Sequence, residues 1–209
     1  MILVTGHRGF VGSHLWRVLD VRVPELTGLD LQDGNDILDC ELPDAERVYH
    51  LAACTDATST DIEHVMRTNV VGTARLLERY GDRLVLASSS MVNYPVTPYA
   101  ISKLACEHMA RMCGAAVVRL CNLHGPGGHS AIDRFERDEV LTIFGDGTQR
   151  RTYASVDRAV HLLLTAQPGA TSVLEGVNLS VNDVAARHPT KERVRAPRHP
   201  LDVIEGVQL

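Results

Sequence analysis

A tyrosine and a lysine four residues apart are the first residues in this chain whose types and spacing suggest chemistry. They are Tyr99 and Lys103 in the run Tyr99-Ala100-Ile101-Ser102-Lys103. On a helix the i, i+4 spacing stacks both side chains on one face. A free tyrosine has a pKa near ~10, too high for a base at neutral pH. A neighbouring ammonium favours the phenolate, so Lys103 is expected to lower that pKa and make Tyr99 a usable general acid and base. The pair also arises by chance on surface helices. The preceding segment changes its weight: an apolar strand ends in Ala87-Ser88-Ser89-Ser90, at the kind of C-terminal strand edge where open α/β sheets build their sites. A hydroxyl there can bond a reacting oxygen and share a proton with Tyr99; the bland reading is that the serines only form a turn.

A second group of residues is suited to holding phosphate. The first apolar strand runs into Thr5-Gly6-His7-Arg8-Gly9-Phe10-Val11-Gly12 and then an apolar-periodic helix. Gly6, Gly9 and Gly12 let the backbone bend tightly and approach a pyrophosphate, while the helix start offers free N–H groups and a positive dipole end. The spacing is Gly-x-x-Gly-x-x-Gly rather than the commoner Gly-x-Gly-x-x-Gly. Eighteen residues beyond Gly12, at the end of the second strand, stands Asp30. A carboxylate there accepts hydrogen bonds from a ribose diol and repels a 2′-phosphate, which points to NAD. Arg8 in the same loop can pair with a 2′-phosphate, so NADP is the alternative.

These groups need a scaffold. Short apolar runs alternate with longer helical patterns, the mark of a parallel sheet covered by helices. Strands are expected at 2–5, 26–30, 47–51, 83–87, 116–120, 141–144 and 173–179, and helices at 11–19, 61–80, 99–112 and 156–165. The fold class is therefore α/β, a Rossmann-type doubly wound parallel sheet with a small C-terminal substrate lobe. The whole chain, 1–209, is expected to be a single globular unit. Its dinucleotide-binding core takes in 1–120 and about 152–180, and its reduced substrate lobe about 121–151 and 181–209. The basic, proline-containing stretch 190–200 reads as a solvated tail.

Composition narrows the function classes. A formal charge of −5 and a pI near 6.0 provide no field to gather nucleic acid or an anionic membrane. The opening Met1-Ile2-Leu3-Val4 has neither a basic leader nor a long apolar run, so a cytoplasmic protein without a membrane span is expected. Five cysteines, an odd set with no C-x-x-C pair, read as reduced core residues rather than disulfides or a metal site. Cys106, His108 and Cys113 share a helix at spacings that converge poorly on an ion, so no metal is assigned.

Further motifs resemble the extended short-chain dehydrogenase/reductase family, the NAD-dependent epimerase/dehydratase group that acts mainly on nucleotide sugars. Thr5–Gly12 resembles its T-G-x-x-G-x-x-G loop, Asp36-Ile37 its acidic–aliphatic pair at adenine, and Tyr49-His50-Leu51-Ala52-Ala53 the strand end beside the cofactor. Asn69-Val70-Val71-Gly72-Thr73 resembles the helix under the active site, and Val118–Gly127 the R-x-x-N-x-Y-G-P-G run. Gly145–Arg151 with Val156-Asp157 resembles the substrate-lobe signature G-D-G-x-Q-x-R…V-D. The resemblance implies cofactor contacts from Gly6, Arg8, Gly9, Phe10, Val11, Gly12, Asp30, Asp36, Ile37, Leu51, Ala52, Ala53, Asn69, Tyr99 and Lys103. Aligning Met91-Val92-Asn93 with the family's x-V-Y-G implies Ser89 as the catalytic hydroxyl beside Tyr99 and Lys103. It implies substrate contacts from Ser90, Asn122, Arg151 and Arg198, the two arginines facing a diphosphate. His124 and His129 read as loop residues.

The family's dehydratases and decarboxylases carry carboxylates just after the catalytic hydroxyl, where this chain has Ser90 and Met91. A thioether cannot act as a general acid, so hydride chemistry remains, with 4-epimerisation of a nucleotide sugar first. The alternatives are a reductase or dehydrogenase of a keto-sugar nucleotide or smaller carbonyl compound, and a non-catalytic NAD-binding sensor or scaffold. The chain is short for the family. The link between Asp30 and Asp36, where relatives have a helix and an edge strand, looks trimmed, as does the loop between Ser89 and Tyr99. The resemblance also implies a homodimer through the helices at 61–80 and 99–112, with no nucleic-acid or membrane partner.

Overall fold

Side chains along each central strand alternate between two apolar sets, and each set is covered by different helices. The structure, a computed structural model, describes residues 1–197. In chain order its elements are β1 (Ile2–Thr5), α1 (Phe10–Asp20), β2 (Leu26–Leu29), β3 (Arg47–His50), α2 (Ile62–Met66), α3 (Gly72–Tyr80), β4 (Leu84–Ser89), α4 (Pro98–Met112) and β5 (Ala116–Leu120). Next come β6 (Asn122–His124), α5 (Ala131–Arg137), β7 (Val140–Phe144), β8 (Arg150–Ser155), α6 (Val156–Thr165), β9 (Thr171–Val173), β10 (Val177–Ser180), α7 (Val181–Ala185) and β11 (Glu192–Ala196). The described residues divide into two units, 1–120 with 157–174 and 121–156 with 175–197.

The first unit is a six-stranded sheet in the order β2-β1-β3-β4-β5-β9, parallel throughout. Leu3, Val48, Leu84, Leu86 and Val117 face α3 and α4, where they meet Leu76, Leu77, Tyr80, Cys106 and Ala110. Val4, Tyr49, Val85, Ala87 and Val118 face the other way, against Leu15 and Leu19 of α1 and Val160 and Leu163 of α6. Fully burying one such leucine or valine contributes about 1.5–3 kcal/mol. This is the expected doubly wound α/β fold. Between β2 and β3 there is only a single 3-10 turn at Leu31–Asp33. The order is that of the common 3-2-1-4-5-6 sheet without its third strand and with one further strand, β9, at the opposite edge. All the parallel strands end on one edge, so the segments after Thr5, Leu29, His50 and Ser89 share it.

Two expected elements are built differently. The helix at 61–80 is interrupted by a π-helical turn at Arg67–Val71 between α2 and α3. The single strand expected at 173–179 is two: β9 joins β5, and β10 runs antiparallel to β8. Gly176 lies between them, where a Cβ would come within 2.3 Å of the Tyr153 carbonyl oxygen. The pairing of β8 with β10 also places 152–156 and 175–180 in the second unit instead of the first.

In the second unit β10-β8-β6 form one small sheet and β11-β7 another. Ile132, Phe135, Leu141, Ile143, Tyr153, Val184 and Ala185 make its core. Ser130 with Asp133 and Ser180 with Asp183 form capping boxes that start α5 and α7. The tail expected at 190–200 is corrected in part. Glu192–Ala196 is a strand parallel to β7, and Lys191 Nζ donates to the carbonyls of Phe135, Glu136 and Asp138 at the end of α5. Among the cysteines, Cys106 is buried but Cys113 is exposed, so it is not a core residue.

Candidate active site

The phosphate-type loop is built by close approach. Gly6 has φ +72°, and a Cβ there would lie 2.6 Å from the Ala52 nitrogen; at Gly12 it would lie 2.0 Å from the Gly6 carbonyl oxygen. The loop thus packs on Leu51-Ala52 as well as bending. Gly9 precedes α1 in extended conformation without a side-chain cap. That leaves the N–H groups of Phe10, Val11 and Gly12 as the open donors of the first turn. Asp30 is buried; its Oδ2 accepts from the Arg8 N–H at 3.0 Å and its Oδ1 from the Gln32 N–H at 3.0 Å. Each oxygen keeps a further lone pair. Asp33, which no sequence motif singles out, pairs with the Arg8 guanidinium and, at 3.2 Å, with His7 Nε2.

Below this loop lies a buried polar chain that sequence reasoning also missed. His50 is 1% exposed; its Nδ1 shares a hydrogen bond with Thr5 Oγ1 at 2.7 Å and its Nε2 one with Thr73 Oγ1 at 2.9 Å. Thr5 Oγ1 also accepts from the Ala52 N–H at 3.3 Å. Burial, aided by the Lys103 charge, pulls the His50 pKa down to about 3, so the ring is neutral. An unfolded histidine takes up a proton near pH ~6.5. The native chain therefore loses stability as pH falls below that value, by up to about 1.4 kcal/mol per unit. Urea unfolding between pH 7 and 5 checks this; His50→Gln should flatten the slope, and an unchanged slope would refute the assignment.

The motif Asn69-Val70-Val71-Gly72-Thr73 has a physical basis in this arrangement. The π-turn carries Asn69, 1% exposed. Its Nδ2 donates to the Cys54 carbonyl at 3.0 Å and to Ser102 Oγ at 2.9 Å, while its Oδ1 accepts from the Cys54 N–H at 2.8 Å. The Asn69 amide is thus engaged within the protein, holding the segment after β3 against α4. A Cβ on Gly72 would meet Ile37 Cδ1 at 2.6 Å, so glycine lets the 36–38 turn settle on this helix. Asp36 fixes that turn by accepting from the Leu38 N–H at 2.9 Å, and Ile37 is buried.

Ser89, Tyr99 and Lys103 come together at the sheet edge. Thr97 caps α4, accepting from the Ala100 N–H at 3.2 Å, and Pro98 opens the helix. Tyr99 therefore stands in the first turn with Lys103 one turn on. The Ser89 hydroxyl accepts from the Met91 N–H at 3.2 Å and stands near enough to the Tyr99 phenol to favour its ionised form. Ser102 Oγ donates to the Tyr99 carbonyl at 2.7 Å. Lys103 is buried, and its Nζ donates to the Ala87 carbonyl at 3.0 Å. One expectation is overturned here: burial raises the Tyr99 pKa, Ser89 opposes the rise, and the Cys106 and Cys54 thiols add to it. Lys103 is not among the groups that set it. Burial also lowers the Lys103 pKa, with Cys106 opposing.

The three serines separate into three places. Ser89 meets Tyr99, and Ser90 opens a 3-10 turn at Ser90–Asn93. Ser88 points into the protein and donates to Glu107 Oε1 at 2.7 Å. Glu107 is fully buried. It also receives Arg119 Nε at 2.8 Å and Arg119 Nη2 at 2.7 Å, and pairs with Arg111. Arg119 Nη1 reaches Asn93 at 3.2 Å. Burial pushes the Glu107 carboxyl up, but the bonds from Arg119 and Ser88 and the two arginine charges outweigh it, leaving it low.

The expected substrate residues of the second unit have local roles. Asn122 Nδ2 donates to the Thr152 carbonyl at 3.3 Å, and Arg151 Nη1 to the Arg150 carbonyl at 3.0 Å. The Gly125–Gly128 turn is held by Asp133, which accepts from the Gly125 N–H at 2.8 Å. Arg198 lies outside the described residues.

A model described as the NAD dependent epimerase/dehydratase family matches residues 2–175. The ADP-L-glycero-D-manno-heptose-6-epimerase of Cupriavidus pinatubonensis is 25% identical, over 99% of this chain and 82% of that protein. Their alignment runs over 273 positions against 209 residues here, so internal stretches of the relative have no counterpart. A putative UDP-glucose 4-epimerase of Methanocaldococcus jannaschii is 28% identical, over 88% of this chain and 80% of that one. Among solved structures, TunA, an NAD-dependent NDP-hexosamine 5,6-dehydratase involved in tunicamycin biosynthesis, is similar with a TM-score of 0.83. It is 26% identical, over 95% of this chain and 85% of that chain.

Proposed function

This chain belongs to the NAD dependent epimerase/dehydratase family, and from that premise we propose that it is an NAD-dependent nucleotide-sugar epimerase, of the 4-epimerase type. The observation that carries the reading is the placing of Ser89 beside Tyr99, with Lys103 one helical turn away, on the sheet edge that also holds the glycine loop. The loop fits a dinucleotide: the space at Gly6 and Gly12 is too tight for a side chain, α1 starts uncapped, and the Asp30 carboxylate has lone pairs left for a ribose diol. When bound, NAD supplies a hydride acceptor that can return the hydride.

The chain's own residues handle the proton. Tyr99 takes the hydroxyl proton from a sugar carbinol and gives it back to the ketone oxygen. Ser89 hydrogen-bonds the same oxygen and the Tyr99 phenol, holding the two in line. Lys103 supplies positive charge beside the ribose of the cofactor. In the sequence, the positions after Ser89 hold Ser90 and Met91, with no carboxylate to eliminate water, which favours epimerisation over dehydration. A homodimer through 61–80 and 99–112 is part of the proposal, supported by the exposed Ile62, Val71, Ile101 and Met112.

The test is the absorbance spectrum and cofactor content of freshly purified protein, repeated with a panel of nucleotide sugars. Bound NAD that one sugar reduces transiently, with reoxidation and no net consumption, is the expected result. Protein that binds NAD weakly and shows no bound-cofactor reduction would refute the epimerase.

A further inference from the structure

Arg8 presents a puzzle for cofactor choice, because a guanidinium beside the ribose site is suited to a 2′-phosphate. The structure gives this arginine another partner. Asp33 sits in the single turn that Asp30 caps, with its N–H on the Asp30 carbonyl at 3.0 Å. Its Oδ1 holds the Arg8 guanidinium and its Oδ2 lies 3.2 Å from His7 Nε2. The Arg8 N–H is meanwhile fixed on Asp30 Oδ2 at 3.0 Å. Backbone and side chain of one residue are therefore tied to two carboxylates. His7 is in turn seated by Gly28, where a Cβ would lie 2.4 Å from its Nδ1, and by Trp16, 4.7 Å away between ring centres. Asp33 is thus held in place from both sides.

The Arg8 guanidinium is paired with Asp33, and the Asp30 carboxylate on its backbone N–H adds to the same field, so the charges of these three groups sum to a negative value. A 2′-phosphate would bring about two more negative charges to this place. A ribose diol brings none and can donate to Asp30. We infer that Asp33 is a specificity-determining residue that occupies Arg8 and makes the site exclude NADP, so the chain takes NAD although its loop carries an arginine. This rests on the dinucleotide reading of the glycine loop given above. Neutralising Asp33 while keeping its shape leaves one carboxylate against one guanidinium and frees Arg8 for phosphate.

Asp33→Asn in the full chain tests this, with NAD and NADP as probes and binding read from the fluorescence of the sole tryptophan, Trp16. In the wild type NAD is expected to bind more tightly than NADP. The variant should bind NADP roughly two- to fivefold more tightly, the scale of one partly exposed charge pair, with NAD affinity essentially as in the wild type. Adding Arg8→Gln to Asp33→Asn should remove the gain, and raising the salt should shrink it. A wild type that binds NAD, with an unchanged NADP affinity in the variant, overturns the role of Asp33 and leaves the dinucleotide reading standing. A gain that survives the loss of Arg8 also overturns it. A wild type that binds neither dinucleotide overturns both.

Discussion

Tyr99→Phe is expected to lower turnover of the proposed nucleotide-sugar substrate by 10²- to 10⁴-fold, the range for losing a positioned general acid and base, which is about 2.7–5.4 kcal/mol of barrier. The variant removes one oxygen from a side chain whose ring is held by α4 and whose backbone carbonyl still takes the Ser102 hydroxyl. NAD affinity should therefore stay within about threefold, since the glycine loop, α1 and Asp30 are untouched. Steady-state rates alongside a binding titration separate the two quantities. Equal loss of binding and turnover would mean that Tyr99 is structural, and full activity would remove it from the mechanism. The raised phenol pKa adds a direction: Tyr99 starts as an acid at neutral pH, so ketone reduction should need less alkaline conditions than alcohol oxidation.

Arg119→Ala is expected to destabilise the fold by about 3 kcal/mol. Stripping a buried ion pair of one partner typically costs about 3–5 kcal/mol because the remaining charge stays desolvated. Glu107 keeps Arg111 and Ser88, which places the expectation at the lower end. For a chain of this size the melting temperature should drop by about 6–12 °C. Replacing Glu107 and Arg119 together by methionine should recover much of the loss, since no charge is then left alone. Acid supplies the sign. The folded Glu107 pKa is depressed, so its contribution is present above the unfolded value near ~4.3 and disappears as pH falls through the lower folded one. The gap between wild type and Arg119→Ala should close over that range. Urea unfolding as a function of pH measures it, and a gap independent of pH would count against an electrostatic origin.

The layered sheet was legible because strand alternation and helix period are one-dimensional signals. β1, β5 and α6 begin and end where the pattern places them. Glycines were legible as a class, but not the reason for each. That Gly12 faces the Gly6 carbonyl, or Gly72 the Ile37 side chain, depends on segments that meet only in three dimensions. Asn69 and Arg119 stood out through motif resemblance, yet one clamps a loop to a helix and the other neutralises a buried carboxylate. Their types do not reveal this, because an amide or a guanidinium serves a ligand and a buried backbone equally well. Glu107 and Asp33 were passed over, and His50 was noted only as part of a strand end, because a single histidine, glutamate or aspartate in sequence says nothing about its distance to Thr5, Arg119 or Arg8. The elements β6, α5, β8, α7 and β11 are short and mix polar with apolar residues, so no continuous apolar run of the kind that marks β1 and β5 announces them.

The π-helical turn at Arg67–Val71 has a consequence for anyone seeking to make this protein sturdier. Regularising it by deleting one residue would improve local helix geometry, yet it would rotate α3 by about 100° relative to α2. Asn69 would then leave Cys54 and Ser102, or Thr73 would leave His50, since both sets of bonds depend on the extra residue between α2 and α3. Optimising this segment on its own terms thus works against the assembly it serves. Redesign for robustness belongs on exposed positions away from these helices, such as Val21.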